Sequence, residues 1–140
     1  MDRLRLLFVC IGNMCRSPMA EAIARALGGE RVEVFSAGLA PTGRVAEQAL
    51  AVLEELGYVS DGLSSKGLTQ VPVRDMDVIV SLAGPQLLQL LPRNLGARLE
   101  PWSVTDPLGE DEEAFFATAL FLEKKVRVLL DDLLDDQGFV

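Results

Sequence analysis

Apolar positions run almost without a break through Leu4-Arg5-Leu6-Leu7-Phe8-Val9, the pattern of a strand covered on both faces in a parallel sheet. Ser17 then offers an N-cap and Pro18 a first helical position, and Met19, Ile23 and Leu27 recur at helical spacing until Gly28-Gly29. Arg31-Val32-Glu33-Val34-Phe35 alternates as a second strand, ending in Ser36-Ala37-Gly38. A turn through Pro41-Thr42-Gly43 opens a helix with Ala46, Ala49, Leu50, Leu53 and Leu56 on one face, and Gly57 stops it. Residues 58–75 are interrupted by Ser60, Asp61, Gly62, Gly67 and Pro72 and predict a surface crossover.

A third strand follows at Asp77-Val78-Ile79-Val80-Ser81-Leu82, then a short helix from Pro85 through Leu90, closed by Pro92. Arg98-Leu99-Glu100 predicts the last strand, leading through Pro101-Trp102 to a loop with Asp106-Pro107-Leu108-Gly109. The closing helix has acidic residues at 110–113 and then Phe115, Ala119, Leu122, Val126, Leu129 and Leu133 in alternating steps of four and three. This order predicts an α/β fold: one doubly wound domain over residues 1–140, with a central four-stranded parallel sheet and helices on both faces. Ligands in such sheets sit beyond the strand C-termini, where Cys10 falls.

The junction Cys10-Ile11-Gly12-Asn13-Met14-Cys15-Arg16-Ser17-Pro18 therefore links a strand to a helix N-terminus, a place that gathers unpaired N–H groups and favours an anion. It lacks the Gly-Lys of a nucleotide P-loop and the three glycines of a dinucleotide loop. It has instead a cysteine and, six positions later, an arginine, so a closed loop sets sulfur at the floor and a guanidinium at the rim. Free cysteine ionises near ~8.5, but at helix N-termini or beside cations the value falls to ~3.5–7.5. Loop amides, Arg16 and Ser17 are the groups here that favour a thiolate, and Arg16 can grip two phosphate oxygens with its planar fork. Gly12 and Asn13 are residue types that tolerate the unusual φ values of such a ring.

Composition narrows the chemistry. Thirteen basic against twenty-one acidic residues give a formal charge of −8, which argues against a nucleic-acid surface and requires phosphate to be attracted locally. The acids cluster late, at 110–113 and at Asp131, Asp132, Asp135 and Asp136, away from the loop in sequence. With no histidine and two cysteines, histidine-based mechanisms are excluded and a zinc site is poorly supplied, so the expectation is no metal and no cofactor. No segment has the ~18 uninterrupted apolar residues of a membrane span, and Met1-Asp2-Arg3 leads into a strand, which predicts a soluble cytoplasmic protein without membrane partners.

Residues 10–21, Cys-Ile-Gly-Asn-Met-Cys-Arg-Ser-Pro-Met-Ala-Glu, resemble the signature of the low-molecular-weight protein tyrosine phosphatases, and the likeness continues through Ser36-Ala37-Gly38 and Asp106-Pro107 to the final helix. The resemblance implies a metal-free phosphomonoester hydrolase with a phosphocysteine intermediate. Cys10 would be the nucleophile, Arg16 and the loop from Ile11 through Ser17 the phosphate site, and Asp106 the general acid. Phosphate or sulfate would fill the loop, and the substrate would be a phosphorylated protein or a small aryl phosphate. Cys10 as thiolate and Asp106 as acid imply an acidic rate optimum. The resemblance also implies a redox role for Cys15, pairing with oxidised Cys10.

Departures from the family pattern bear on substrate. Leu108-Gly109 stands where many relatives carry aromatics, Met14 where phosphoarginine-hydrolysing relatives carry threonine, and Leu63 or a neighbouring serine where many carry a loop-supporting histidine. Met14, Leu39 and Leu108 are expected as an apolar rim. Two alternatives compete with hydrolysis. Ser64-Ser65-Lys66 and the run 102–107 also resemble arsenate reductases of this fold, whose further cysteines are missing here, Leu82 taking one position. The other is a non-catalytic phosphate-binding module, against which stand the nucleophile, arginine and acid.

Overall fold

The computed structural model describes residues 3–135 of the chain. Strand β1 (Leu4–Cys10) lies between β2 (Val32–Gly38) and β3 (Val78–Ser81), and β4 (Arg98–Pro101) pairs with β3, giving the all-parallel order β2-β1-β3-β4. Alternate residues of β1 enter two separate cores. Leu6 and Phe8 face helices α1 (Arg16–Gly28), α2 (Glu47–Glu55) and α4 (Glu112–Asp135), whereas Leu7 and Val9 face α3 (Pro85–Leu88) and the crossover. That is why this strand reads as a continuous apolar run.

The crossover at 58–75 is built of loops and two short 3-10 turns, Leu68–Gln70 and Val73–Asp75. Leu68, Val71, Val73 and Met76 cover the sheet face opposite α1, so the irregular stretch is partly core. Helix α2 ends as its pattern predicts. Gly57 is left-handed (φ 86°), its N–H bonds Glu54 O and the Tyr58 N–H bonds Leu53 O, a Schellman ending.

One helix start differs from the sequence reading, and the acidic start of α4 stands as read. Helix α1 begins at Arg16, with Cys15 rather than Ser17 in the N-cap place and no side-chain cap. Ser17 is diverted because its hydroxyl is held by Asn13 and Cys10, and Pro18 still fits because the first-turn N–H groups have no intrahelical partner. Within the acidic cluster Asp111 is a cap, its Oδ1 accepting the Ala114 N–H at 3.0 Å. The α4 stripe Phe115, Ala119, Leu122, Val126, Leu129 and Leu133 is buried throughout. Asp136 of the late acidic group, and the start Met1-Asp2, lie outside the described residues.

Helix α1 sits between the sheet, α2 and α4, and is buried nearly all round, Glu21 included. Small residues at Ala20, Ala22 and Ala24 suit that close packing; a carboxylate there needs partners. Among the described residues no helix is long and apolar enough to cross a membrane.

Candidate active site

The chain order reverses between β1 and β3, so the β1 C-terminus opens the crevice where such sheets place ligands. The loop after Cys10 is shaped by where its carbonyls go. Cys10, Ile11, Gly12 and Met14 accept backbone N–H bonds from Leu39, Ala40, Thr42 and Ala46, at 2.8–3.2 Å. A trans peptide points its C=O and N–H in opposite directions. Capture of these carbonyls therefore turns the N–H groups of Ile11, Gly12, Asn13 and Cys15 to the inside of the loop, where they form a nest for an anion.

Side chains fix that shape from behind. Of the two residue types expected to tolerate an unusual φ, Asn13 is left-handed (φ 51°) and Gly12 is not. Asn13 is one of the few types that accept this conformation, and its amide is fully engaged. Oδ1 accepts the Lys66 main-chain N–H at 2.9 Å, and Nδ2 donates to Ser17 Oγ at 2.6 Å and Ser36 Oγ at 3.0 Å. Ser65 Oγ donates to Gly12 O at 2.9 Å and accepts from Thr42 and Gly43 N–H.

The approach of β2 is equally tight. A Cβ on Gly38 would lie 2.6 Å from Ile11 O and 2.9 Å from Asn13 N, both backbone. We therefore expect Gly38→Ala to cost about 1–3 kcal/mol of stability and to weaken phosphate affinity, read by thermal melting and calorimetric titration. Unchanged affinity would mean that the loop tolerates the shift.

Cys10 Sγ is buried 2.9 Å from Ser17 Oγ. Since Asn13 Nδ2 donates to that hydroxyl, the Ser17 proton is directed at the sulfur. Arg16 Nη1 donates to Leu82 O (3.2 Å) and Val104 O (3.0 Å), which fixes the guanidinium plane, and Nη2 lies 3.6 Å from Asp106 Oδ2. The Arg16 side chain is 9% exposed and that of Asp106 46%, so the acid stands at the mouth and the cation in the wall. Asp106 is held by an Asx turn, Oδ1 accepting Leu108 N–H at 3.1 Å. Trp102 supports the same segment from the core, its ring centroid 6.0 Å from Phe8.

A cavity of about 200 Å³ is lined by Cys10, Ile11, Gly12, Met14, Cys15, Arg16 and Asp106, with Ala40, Thr42 and Leu108. Of the sequence-predicted site, Asn13 and Ser17 are not among these: both are buried beneath the loop, where their side chains brace it. Leu39 belongs to the second core rather than the rim, and its expected place is taken by Ile11, exposed like Leu108. Both thiols are free and buried. Burial, then the charges of Asp106 and Cys10, push Cys15 up to about 12 despite Arg16, so it stays a neutral thiol. Glu21, Ser65 and Lys66 were not among the predicted site residues; Glu21 falls in the signature match and Ser65 and Lys66 in the stretch resembling arsenate reductases, but the contacts that tie them to the loop join residues 15 to 53 positions apart. Among the described residues no group of three His, Cys, Asp or Glu is placed to hold a metal.

Comparison with known proteins adds the following. The family described as low molecular weight phosphotyrosine protein phosphatase matches residues 5–138. A curated relative, glutaredoxin arsenate reductase of Synechocystis sp., is 34% identical over 90% of this chain and 95% of its own length. Among solved structures, a low molecular weight phosphotyrosine phosphatase of Vibrio cholerae O395 superposes with a TM-score of 0.83 at 29% identity, covering 95% of this chain and 98% of that one. An arsenate reductase in the phosphate binding state gives a TM-score of 0.80 at 30% identity, over 92% and 98%.

Proposed function

Since the chain belongs to the low molecular weight phosphotyrosine protein phosphatase family, we propose that it is a metal-free phosphomonoester hydrolase acting on aryl phosphates, phosphotyrosine in proteins among them. The observation that carries this reading is the convergence of Cys10, Arg16 and Asp106 on one cavity, with a hydroxyl proton aimed at the sulfur.

In the first step the Cys10 thiolate attacks phosphorus, the P–O bond to the leaving phenol breaks, and Asp106 gives its proton to that oxygen. The loop N–H groups and Arg16 hold the equatorial oxygens as charge develops. In the second step water attacks the phosphocysteine, Asp106 takes its proton, and the thiolate leaves towards the Ser17 hydroxyl. Aliphatic Ile11, Met14 and Leu108 form the rim, which accepts a phenyl ring by apolar contact without stacking. Its free thiols suit a reducing, cytoplasmic setting.

Arsenate reduction is the second reading, favoured by the names of the curated relatives. Arsenate has the shape and charge to enter the same loop. Its reduction needs thiols to carry electrons outward, and beyond Cys10 this chain has only Cys15, buried and pushed up to about 12.

Both readings are tested by assaying one reduced preparation for aryl phosphate hydrolysis in excess chelator and for arsenate reduction coupled to thioredoxin or glutaredoxin. The expected result is chelator-resistant hydrolysis and no arsenate turnover above background. Asp106→Asn should lower kcat by about 10²–10⁴-fold on a substrate with a poor leaving group. Arsenate turnover without hydrolysis would reverse the assignment.

A further inference from the structure

We propose that the main-chain edge Ser103-Val104-Thr105 is a docking strand for the phosphoprotein substrate, which lies beside it as an extended segment and so brings its phosphotyrosine to the catalytic mouth. The inference rests on the phosphatase reading above and names where the protein part of the substrate is held.

Beyond β4 the chain goes on pairing. Trp102 N–H bonds Ser81 O at 2.8 Å, Val104 N–H bonds Leu82 O at 3.1 Å, and Ser103 forms an antiparallel bridge with Ala83. Val104 O receives Arg16 Nη1 at 3.0 Å, so residues 102 and 104 direct their main-chain groups into the fold. In an extended chain the intervening residues direct theirs the other way. Among the described residues neither the N–H nor the C=O of Ser103 or of Thr105 has a main-chain partner, and both residues are exposed. Two donors and two acceptors thus form a short free edge.

Both ends of that edge are defined. Pro101 has no N–H to offer, so pairing is interrupted towards β4. At the other end the Asx turn of Asp106 bends the chain at the mouth of the catalytic cavity. A paired strand advances ~3.3 Å per residue, so a residue one step beyond Thr105 stands beside Asp106.

A cavity lies on each face of the edge, and Ser103, Val104 and Thr105 line both. On the α4 side, about 300 Å³ is walled by Ala117, Thr118 and Phe121; on the α3 side, about 320 Å³ is walled by Gly84, Gln86 and Arg16. Side chains of an added strand point alternately to the two faces, so successive substrate residues meet a largely apolar cavity and a polar one in turn. Arg16 lines the α3-side cavity and the catalytic one, which makes the groove continuous with the site of chemistry. A peptide main chain is the occupant that matches, since it carries N–H and C=O groups at strand spacing together with side chains on two faces.

The experiment measures kcat and KM of the wild type on p-nitrophenyl phosphate, on an alanine-based phosphotyrosyl peptide, and on that peptide N-methylated at one flanking position at a time. Methylation at positions of one parity should raise KM about tenfold, with the intervening positions within about twofold and kcat held. The intervening positions control for the stiffness a methyl adds, and the scan needs no variant. Ser103→Pro deletes an N–H that the fold does not use, and melting reports its folding. It should raise the peptide KM about tenfold while p-nitrophenyl phosphate changes by less than about twofold. A loss shared equally by both substrates overturns the proposal, because it would mean a disturbed Asp106. A flat scan overturns it too, and if sedimentation then shows that Ser103→Pro turns a dimer into a monomer, the edge belongs to a second copy of the chain. Hydrolysis of the aryl phosphate with a flat scan defeats the docking strand alone, whereas a wild type that hydrolyses neither substrate defeats the phosphatase reading with it.

Discussion

Cys10→Ser is expected to remove aryl phosphate hydrolysis, by about 10⁴-fold or more, while phosphate binding persists. The two halves of that result come from different parts of the site. In the proposed mechanism binding falls to the inward N–H groups of Ile11, Gly12, Asn13 and Cys15 and to Arg16, which the substitution does not touch, and the outward carbonyls stay captured by residues 39–46. Chemistry needs an anion on residue 10, and a serine hydroxyl has no adjacent base to ionise it, because the chain has no histidine and Ser17 points a proton rather than a lone pair at that position. The measurement pairs steady-state hydrolysis with calorimetric titration of inorganic phosphate. Retention of a tenth of wild-type activity would falsify the nucleophile assignment, and loss of phosphate binding in the folded variant would mean that the sulfur itself holds the loop.

Much of the architecture was legible because it is written in local spacing. The run 4–9, the stripe of α4 and the Gly57 stop each depend on neighbours within a few residues, and each lies where the pattern puts it. The Cys10 to Arg16 interval was legible for the same reason. What escaped depends on partners brought together by the fold. Ser17 has the type of a helix cap, yet Asn13 and Cys10 compete for its hydroxyl and win, and α1 starts without it. Gly12 and Asn13 look equally suited to a left-handed turn, and only the tertiary hold on the Asn13 amide decides between them. Residues 58–75 read as a surface connection because polar residues interrupt the pattern. Within that stretch Ser65 and Lys66 brace the loop from 53 residues away, while Leu68 and Val71 close the second core. Glu21 sits in the signature match, but its burial follows only from α1 lying between three other layers.

Arg16→Lys should lower kcat/KM about 10²–10³-fold although the charge is kept. The guanidinium is used on two sides. Nη1 spans Leu82 O and Val104 O, tying the ends of β3 and of the segment after β4 to the loop, and this orients the Nε and Nη2 edge for a bidentate grip on phosphate. A lysine ammonium reaches one of these tasks at a time. If it turns to the carbonyls, phosphate loses its clamp; if it turns to phosphate, Val104 O loses its donor, whereas Leu82 O keeps the Val104 N–H. The buried carbonyl left over costs about 1–3 kcal/mol, so a lower melting temperature should accompany the kinetic loss. Because the clamp holds the ground-state phosphate as well as the transition state, KM should rise while kcat falls, in contrast to Asp106→Asn, where the loss is confined to kcat. Steady-state kinetics, phosphate titration and melting on the one variant separate these terms. A lysine enzyme with wild-type phosphate affinity would show that the loop N–H groups bind the anion unaided and that Arg16 serves only the architecture.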